Sequence, residues 1–84
     1  MKTIENLSVL NNYEIEIKFT NGETKIFDMK PYFSENNVFN TLKDIHVFKL
    51  AKNHSYFIEW PGEIDLSADT LYSEGKTIAP ITKV

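Results

Sequence analysis

Cysteine and arginine are both absent from these 84 residues. Without thiols there is no disulfide framework, no cysteine-ligated zinc, no iron–sulfur cluster and no thiol nucleophile. Small secreted domains usually lean on disulfides, so a chain that lacks them is expected in a reducing cytoplasm. All nine basic residues are lysine, spread from Lys2 to Lys83 without a cluster. The guanidinium fork that reads guanine edges and clamps phosphates is missing, which argues against nucleic acid as a partner. The scattered lysines read as solvated faces. Gly22, Gly62 and Gly75 are the only glycines and lie far apart, so no phosphate-cradling loop is formed. No apolar run approaches the roughly 20 residues that span a bilayer. Met1 to Asn6 carries one basic residue with no apolar stretch behind it, so no signal peptide is expected.

What is present describes an ordinary globular chain: 42% hydrophobic, 13% aromatic and 25% charged, with a net charge of −3. A domain of this length buries only about 60–65% of the surface of its unfolded chain, so one thin core is expected. The whole of 1–84 is read as a single domain, with the core over about 4–75 and 76–84 as a tail or an edge strand. There is no internal repeat or linker.

The clearest element is Tyr13-Glu14-Ile15-Glu16-Ile17-Lys18-Phe19, whose strict alternation predicts a half-buried strand. A weaker strand over Glu5–Leu10 precedes it, across a turn at Asn11-Asn12. Asn21-Gly22 is a strong hairpin signal, because both residues tolerate positive φ. A two-residue loop there places Ile17 opposite Ile26 and Lys18 opposite Lys25, with Phe27 on the charged face. A three-residue loop would set Ile17 against Lys25, so the two-residue register is expected. After Pro31, Asn36 or Asn37 caps a helix running to Lys43 or Asp44. Ile45–Ala51 and Ser55–Trp60 read as a second strand pair, with Phe48, Leu50, Tyr56, Ile58 and Trp60 as packing groups. Ser67 caps a last helix, Ala68 to about Glu74, that ends at Gly75. The expected fold is α+β, an antiparallel sheet of about five strands with two short helices.

Chemistry is sparse. His46 and His54 approach each other if the second strand pair forms, with Glu59 or Asp65 nearby, but the spacing matches no zinc motif and no metal is expected. No serine sits in a nucleophile elbow, and Ser67 is accounted for as a cap. Paired carboxylates can be drawn among twelve acids, yet a core this thin does not readily frame a sugar cleft. No catalytic residue or cofactor is assigned, and the chain is not expected to be an enzyme. The informative segment is Trp60-Pro61-Gly62-Glu63-Ile64-Asp65-Leu66, followed by Leu71-Tyr72. Trp60 is either a core corner or an exposed anchor of the kind that dominates protein interfaces. Asp65 reads as a local cap or turn acceptor. Trp60, Glu63, Asp65 and Tyr72 are the candidate partner surface.

Taken in order, Phe19-Thr20-Asn21-Gly22-Glu23, Phe27-Asp28, Pro31-Tyr32-Phe33, Phe39, Leu42-Lys43-Asp44, Phe48, and Trp60 to Leu66 with Leu71-Tyr72 resemble the bacterial "domain of unknown function 2442" family, over about Ile4 to Tyr72. The resemblance implies a small α+β domain and brings no catalytic residues with it. It also implies a neighbouring gene for a small protein of the "domain of unknown function 4160" family, in an arrangement similar to a toxin–antitoxin pair with this chain in the antitoxin-like place. Some relatives add a helix-turn-helix module, which is not expected in the 12 residues after Tyr72. The expected function is a non-enzymatic protein-interaction module that docks through edge strands and the Trp60–Tyr72 corner. The alternatives are a small-molecule-binding or sensory domain with a pocket beside Trp60, and, less favoured, direct nucleic-acid binding. A homodimer through an edge strand is compatible with each reading.

Overall fold

The computed structural model describes residues 1–34 and 37–79. Among these residues are seven strands, arranged as two antiparallel sheets, and two short α-helices. The first sheet takes β1 (Ile4–Val9), β2 (Glu14–Phe19), β3 (Thr24–Asp28) and β7 (Lys76–Ala79), in the order β1-β2-β3-β7. The second takes β4 (Lys52–Asn53), β5 (Phe57–Trp60) and β6 (Ile64–Ser67), in the order β4-β5-β6. The α+β class with antiparallel pairing stands; its strands are divided between two sheets where the sequence suggested one of about five.

Alternation decides β2 as expected. Ile15, Ile17 and Phe19 are buried, while Glu14, Glu16 and Lys18 face outward. Tyr13 lies just before the strand, in a tight turn over Asn11–Tyr13 where both Asn12 and Tyr13 have positive φ. Its ring still joins the core, packing edge-on to Phe33.

The β2–β3 register corrects the sequence reading. Ile17 stands opposite Lys25 and Ile15 opposite Phe27, the pairing of a three-residue loop. Phe19 N–H donates to the Glu23 carbonyl at 2.8 Å, and Gly22 takes φ 95° within the loop. This is a common hairpin loop that ends in a left-handed glycine. Asn21 braces it by accepting the Glu23 N–H at 2.9 Å. The physical reason for the choice is visible on the inner face. This register buries Phe27 to 1% exposure, at the expense of turning Lys25 inward, where it is 8% exposed. The Lys25 stem packs in the core margin, its ammonium donates to the Tyr72 carbonyl, and it sits 3.8 Å from the centre of the Tyr72 ring. A lysine that can reach a carbonyl and an aromatic face is cheaper to bury than a phenylalanine is to expose.

Ile45–Ala51 is the second correction. It forms one turn of helix, α1 (Ile45–Phe48), and not a strand. The Asp44 side chain accepts the His46 N–H at 3.0 Å, an N-cap that competes successfully with the β-branched residues behind it. Before it, Val38–Lys43 winds as a 3₁₀ segment capped by Asn37, whose side chain accepts the Phe39 N–H at 2.9 Å. Asn36 lies outside the described residues. Strand pairing resumes only at Lys52, opposite Glu59.

The last helix, α2 (Ala68–Glu74), follows its sequence signals, with Ser67 Oγ accepting the Thr70 N–H at 3.1 Å. It buries Ala68 and Leu71. Gly75 ends it in extended backbone, so left-handed freedom is not the reason for glycine here. A Cβ at this position would stand 2.6 Å from the Leu71 carbonyl oxygen and 3.1 Å from Lys25 Cβ. The chain then runs into β7, beside β3; residues 80–84 lie outside the described part. Ile4, Ile15, Ile17, Phe19 and Phe27 from one sheet meet Ile58, Trp60, Ile64 and Leu66 from the other, with Met29, Leu42, Phe48 and Leu71 completing one core.

Candidate functional site

Trp60 ends β5, and alternation along Phe57–Trp60 turns it inward with Ile58. Its ring stacks near-parallel on Phe48, 6.2 Å between centres, and Nε1 donates to the Phe48 carbonyl at 2.9 Å. At 1% exposure it is a core residue, which settles against the exposed-anchor alternative. The hydrogen bond satisfies an indole N–H that would otherwise be costly to bury.

Pro61-Gly62-Glu63 then carries the chain back, because Trp60 pairs with Ile64 across a three-residue turn. Gly62 (φ 91°) and Glu63 (φ 62°) are both left-handed. Glycine adopts that conformation freely, whereas a glutamate there is strained by about 1 kcal/mol. The Glu63 side chain leaves the turn into solvent.

Between this turn and the approach to β4 lies a cleft of about 430 Å³, lined by Leu50, Lys52, Glu59, Trp60, Pro61, Gly62 and Glu63. The β4–β5 ladder covers only Lys52–Asn53, so the chain before Lys52 is off the ladder where the cleft lies. Beyond that pairing Leu50 stands beside the turn, 54% exposed. Sequence reasoning took Leu50 and Tyr56 as packing groups; both are exposed. Trp60 closes the cleft from inside, Leu50 and Pro61 give apolar walls, and Lys52, Glu59 and Glu63 supply the charges. Glu59 is shared with His54, whose Nε2 lies 3.2 Å away and whose ring stacks 4.8 Å from Phe57.

Of the four residues named from sequence, Trp60 and Glu63 meet at this cleft. Asp65 stands on the outer face of β6, opposite Glu59 in register. Tyr72 belongs to a different neighbourhood. Its ring packs edge-on to Phe19 and is flanked by the ammonium groups of Lys2, at 4.1 Å, and Lys25. Its hydroxyl donates to Glu23 and holds that carboxyl below the ordinary glutamate range, aided by Asn21, Lys25 and Lys2 against a smaller opposing effect of burial. Lys2 N–H also donates to Asp69 at 2.8 Å, pinning the start of the chain to α2. The expected Trp60–Tyr72 corner is therefore two separate places, one a cleft and the other a structural clasp. Leu50 and Lys52 were missed as cleft residues because their segment reads as strand. The Pro-Gly-acid turn was the available signal.

The two histidines are not brought together as strand neighbours. His46 is on α1 and His54 is paired with Glu59. Among the described residues no group of three or more histidine and acidic side chains is placed to hold a metal ion. None of their helices is long and apolar enough to cross a membrane.

Comparison with known proteins returned neither a curated protein nor a solved structure. The profile of the family described as "Protein of unknown function (DUF2442)" matches residues 4–77, from the first strand through the clasp and into the last strand. That span takes in nearly every element of both sheets and all the residues of the cleft, and the chain belongs to the DUF2442 family.

Proposed function

We propose that this chain is a non-enzymatic protein-interaction module of the cytoplasm that receives a segment of a partner polypeptide in the cleft beside the Pro61–Glu63 turn. The observation that carries the reading is Leu50, a large apolar side chain left exposed on the wall of a cleft closed from inside by the rigid Trp60. A partner side chain seated there would cover Leu50 without disturbing the core, and anchoring of this kind concentrates binding energy in a few residues.

The family resemblance supplies the first partner to try, the small protein of the domain of unknown function 4160 family expected from the adjacent gene, with this chain as the antitoxin-like half of the pair. Co-expression followed by size-exclusion chromatography tests it. Co-elution at micromolar concentration, weakened at least about tenfold by Leu50→Asp, supports the reading. Separate peaks for the unmodified pair count against it. Leu50→Asp should leave folding intact, since the side chain is already more than half exposed.

A second reading is supported by the size of the cleft, which falls within the range of small-ligand pockets. A thermal-shift panel of common metabolites separates the two. A saturable rise in melting temperature with one metabolite favours ligand binding, and a flat panel leaves that alternative without support.

A further inference from the structure

We infer that the group docking in this cleft is a basic side chain of the partner polypeptide, its aliphatic stem against Leu50 and Pro61 and its charged head between Glu59 and Glu63. The inference rests on the interaction reading above and gives the partner a chemistry.

Three features lead to it. First, the lining combines apolar side chains, Leu50 and Pro61, with the charged Lys52, Glu59 and Glu63, a mixture that suits one long amphipathic side chain. Second, the charge is unbalanced. Two carboxylates line the cleft against the single ammonium of Lys52, and Asp65 stands in register with Glu59 on the outer face of the same sheet. An incoming carboxylate or phosphate would meet Lys52 but also both glutamates; an incoming cation meets the reverse and is favoured. Third, the two acids differ in availability. Glu59 is shared with His54 at 3.2 Å, whereas Glu63 is in none of the ion pairs closer than 4 Å among the described residues. Its left-handed backbone sets the direction in which the side chain leaves the turn beside the cleft.

The cleft's preference is read directly by amide chemical-shift titration of the full chain with three capped tripeptides that differ only in the central residue: arginine, its neutral isostere citrulline, or glutamate. The arginine peptide is expected to shift the amides of Leu50, Lys52 and Glu59 to Glu63 in a saturable manner at millimolar concentration. The citrulline peptide should bind several-fold more weakly and the glutamate peptide not at all. Equal responses to all three, or shifts confined to residues outside the cleft, overturn the inference.

Two variants separate binding from folding. Glu63→Gly removes the carboxylate and relieves the left-handed strain, so it should melt a few degrees higher than the parent while losing the saturable response. Retained binding in that variant overturns the inference. Lys52→Gln removes the competing ammonium and should tighten the arginine peptide several-fold; weakening instead overturns it. The outcome is distinguishable from failure of the broader reading. A co-eluting partner that ignores Glu63→Gly removes the basic-side-chain inference and leaves the interaction module standing. Absence of any co-eluting partner strikes the module, while the tripeptides still report the charge preference of the cleft.

Discussion

Replacing Trp60 by phenylalanine tests the structural premise under the cleft. The substitution keeps an aromatic ring for Phe48 to stack on but deletes the indole N–H that donates to the Phe48 carbonyl. Leaving a buried carbonyl without that donor costs about 1–3 kcal/mol. The volume lost between indole and phenyl adds roughly 1–2 kcal/mol, because the side chain is fully enclosed and its surroundings close only in part. The expected loss is about 2–5 kcal/mol, from a total that for a domain of this length is about 4–13 kcal/mol. In melting temperature that is roughly 10–30 °C. Urea unfolding followed by far-ultraviolet circular dichroism is the appropriate assay, since the sole tryptophan is removed by the change. Leu50→Ser, at an exposed position of the cleft lining, serves as the contrast and should cost less than about 1 kcal/mol. If Trp60→Phe were within about 0.5 kcal/mol of the parent, the indole would not be a core hydrogen-bonded group, and the cleft would lose its rigid floor.

The β2–β3 register is checked by a pair of truncations: Phe27→Ala should cost about 3–5 kcal/mol and Ile26→Ala well under half of that, whereas the two-residue register demands the opposite order. Gly75→Ala should destabilise by about 1–3 kcal/mol, since the new methyl meets the Leu71 carbonyl oxygen and the Lys25 stem, and a neutral result would show that α2 ends with more room than described. Two titrations bound the pH range of stability. Tyr32 is pushed up to about 12 by burial and by Glu74, which accepts its hydroxyl at 2.6 Å. A phenol raised in the folded state contributes stability below its unfolded value near 10 and loses it as pH climbs toward 12, so Tyr32→Phe should flatten the alkaline limb of a pH–melting curve. Glu23 is lowered, chiefly by the Tyr72 hydroxyl; its contribution is present above the ordinary value of 4.5 and disappears as pH falls through the folded value, and Glu23→Gln should make the acid limb shallower.

Local patterns carried the sequence reading where one interaction dominated. The alternation of β2 and the Ser67 cap of α2 are settled by neighbours within a few residues, and both elements are where the pattern put them. The register of β3 is different, because it turned on whether Lys25 or Phe27 is buried, and the carbonyl and ring that make Lys25 tolerable come from Tyr72, 47 residues further on. Ile45–Ala51 misled for a related reason. Its β-branched residues suggest a strand, but the Asp44 cap and the packing of Phe48 on Trp60 reward a single helical turn. The cleft inherits that error. Its turn was legible as Pro-Gly-acid, while the facing wall at Leu50 and Lys52 follows from where α1 releases the chain. Division of the strands into two sheets is a long-range property with no local signature.

The pairing of the first strands with late-arriving cover has a bearing on biosynthesis. The β1–β2–β3 meander is complete once Asp28 has left the ribosome, yet the groups that shield its inner face, Trp60, Leu66 and Leu71, are translated much later. Until they emerge, Ile15, Ile17 and Phe27 have only part of their cover, from near groups such as Tyr32, Leu42 and Phe48, and a three-stranded ribbon with an incompletely covered apolar side is prone to stick to others like it. The Lys2–Asp69 contact likewise waits for a residue 67 positions further along the chain. Completion of the core therefore waits for the second sheet, and slowing the ribosome between Asp28 and Trp60 should lengthen the vulnerable interval and lower the soluble yield.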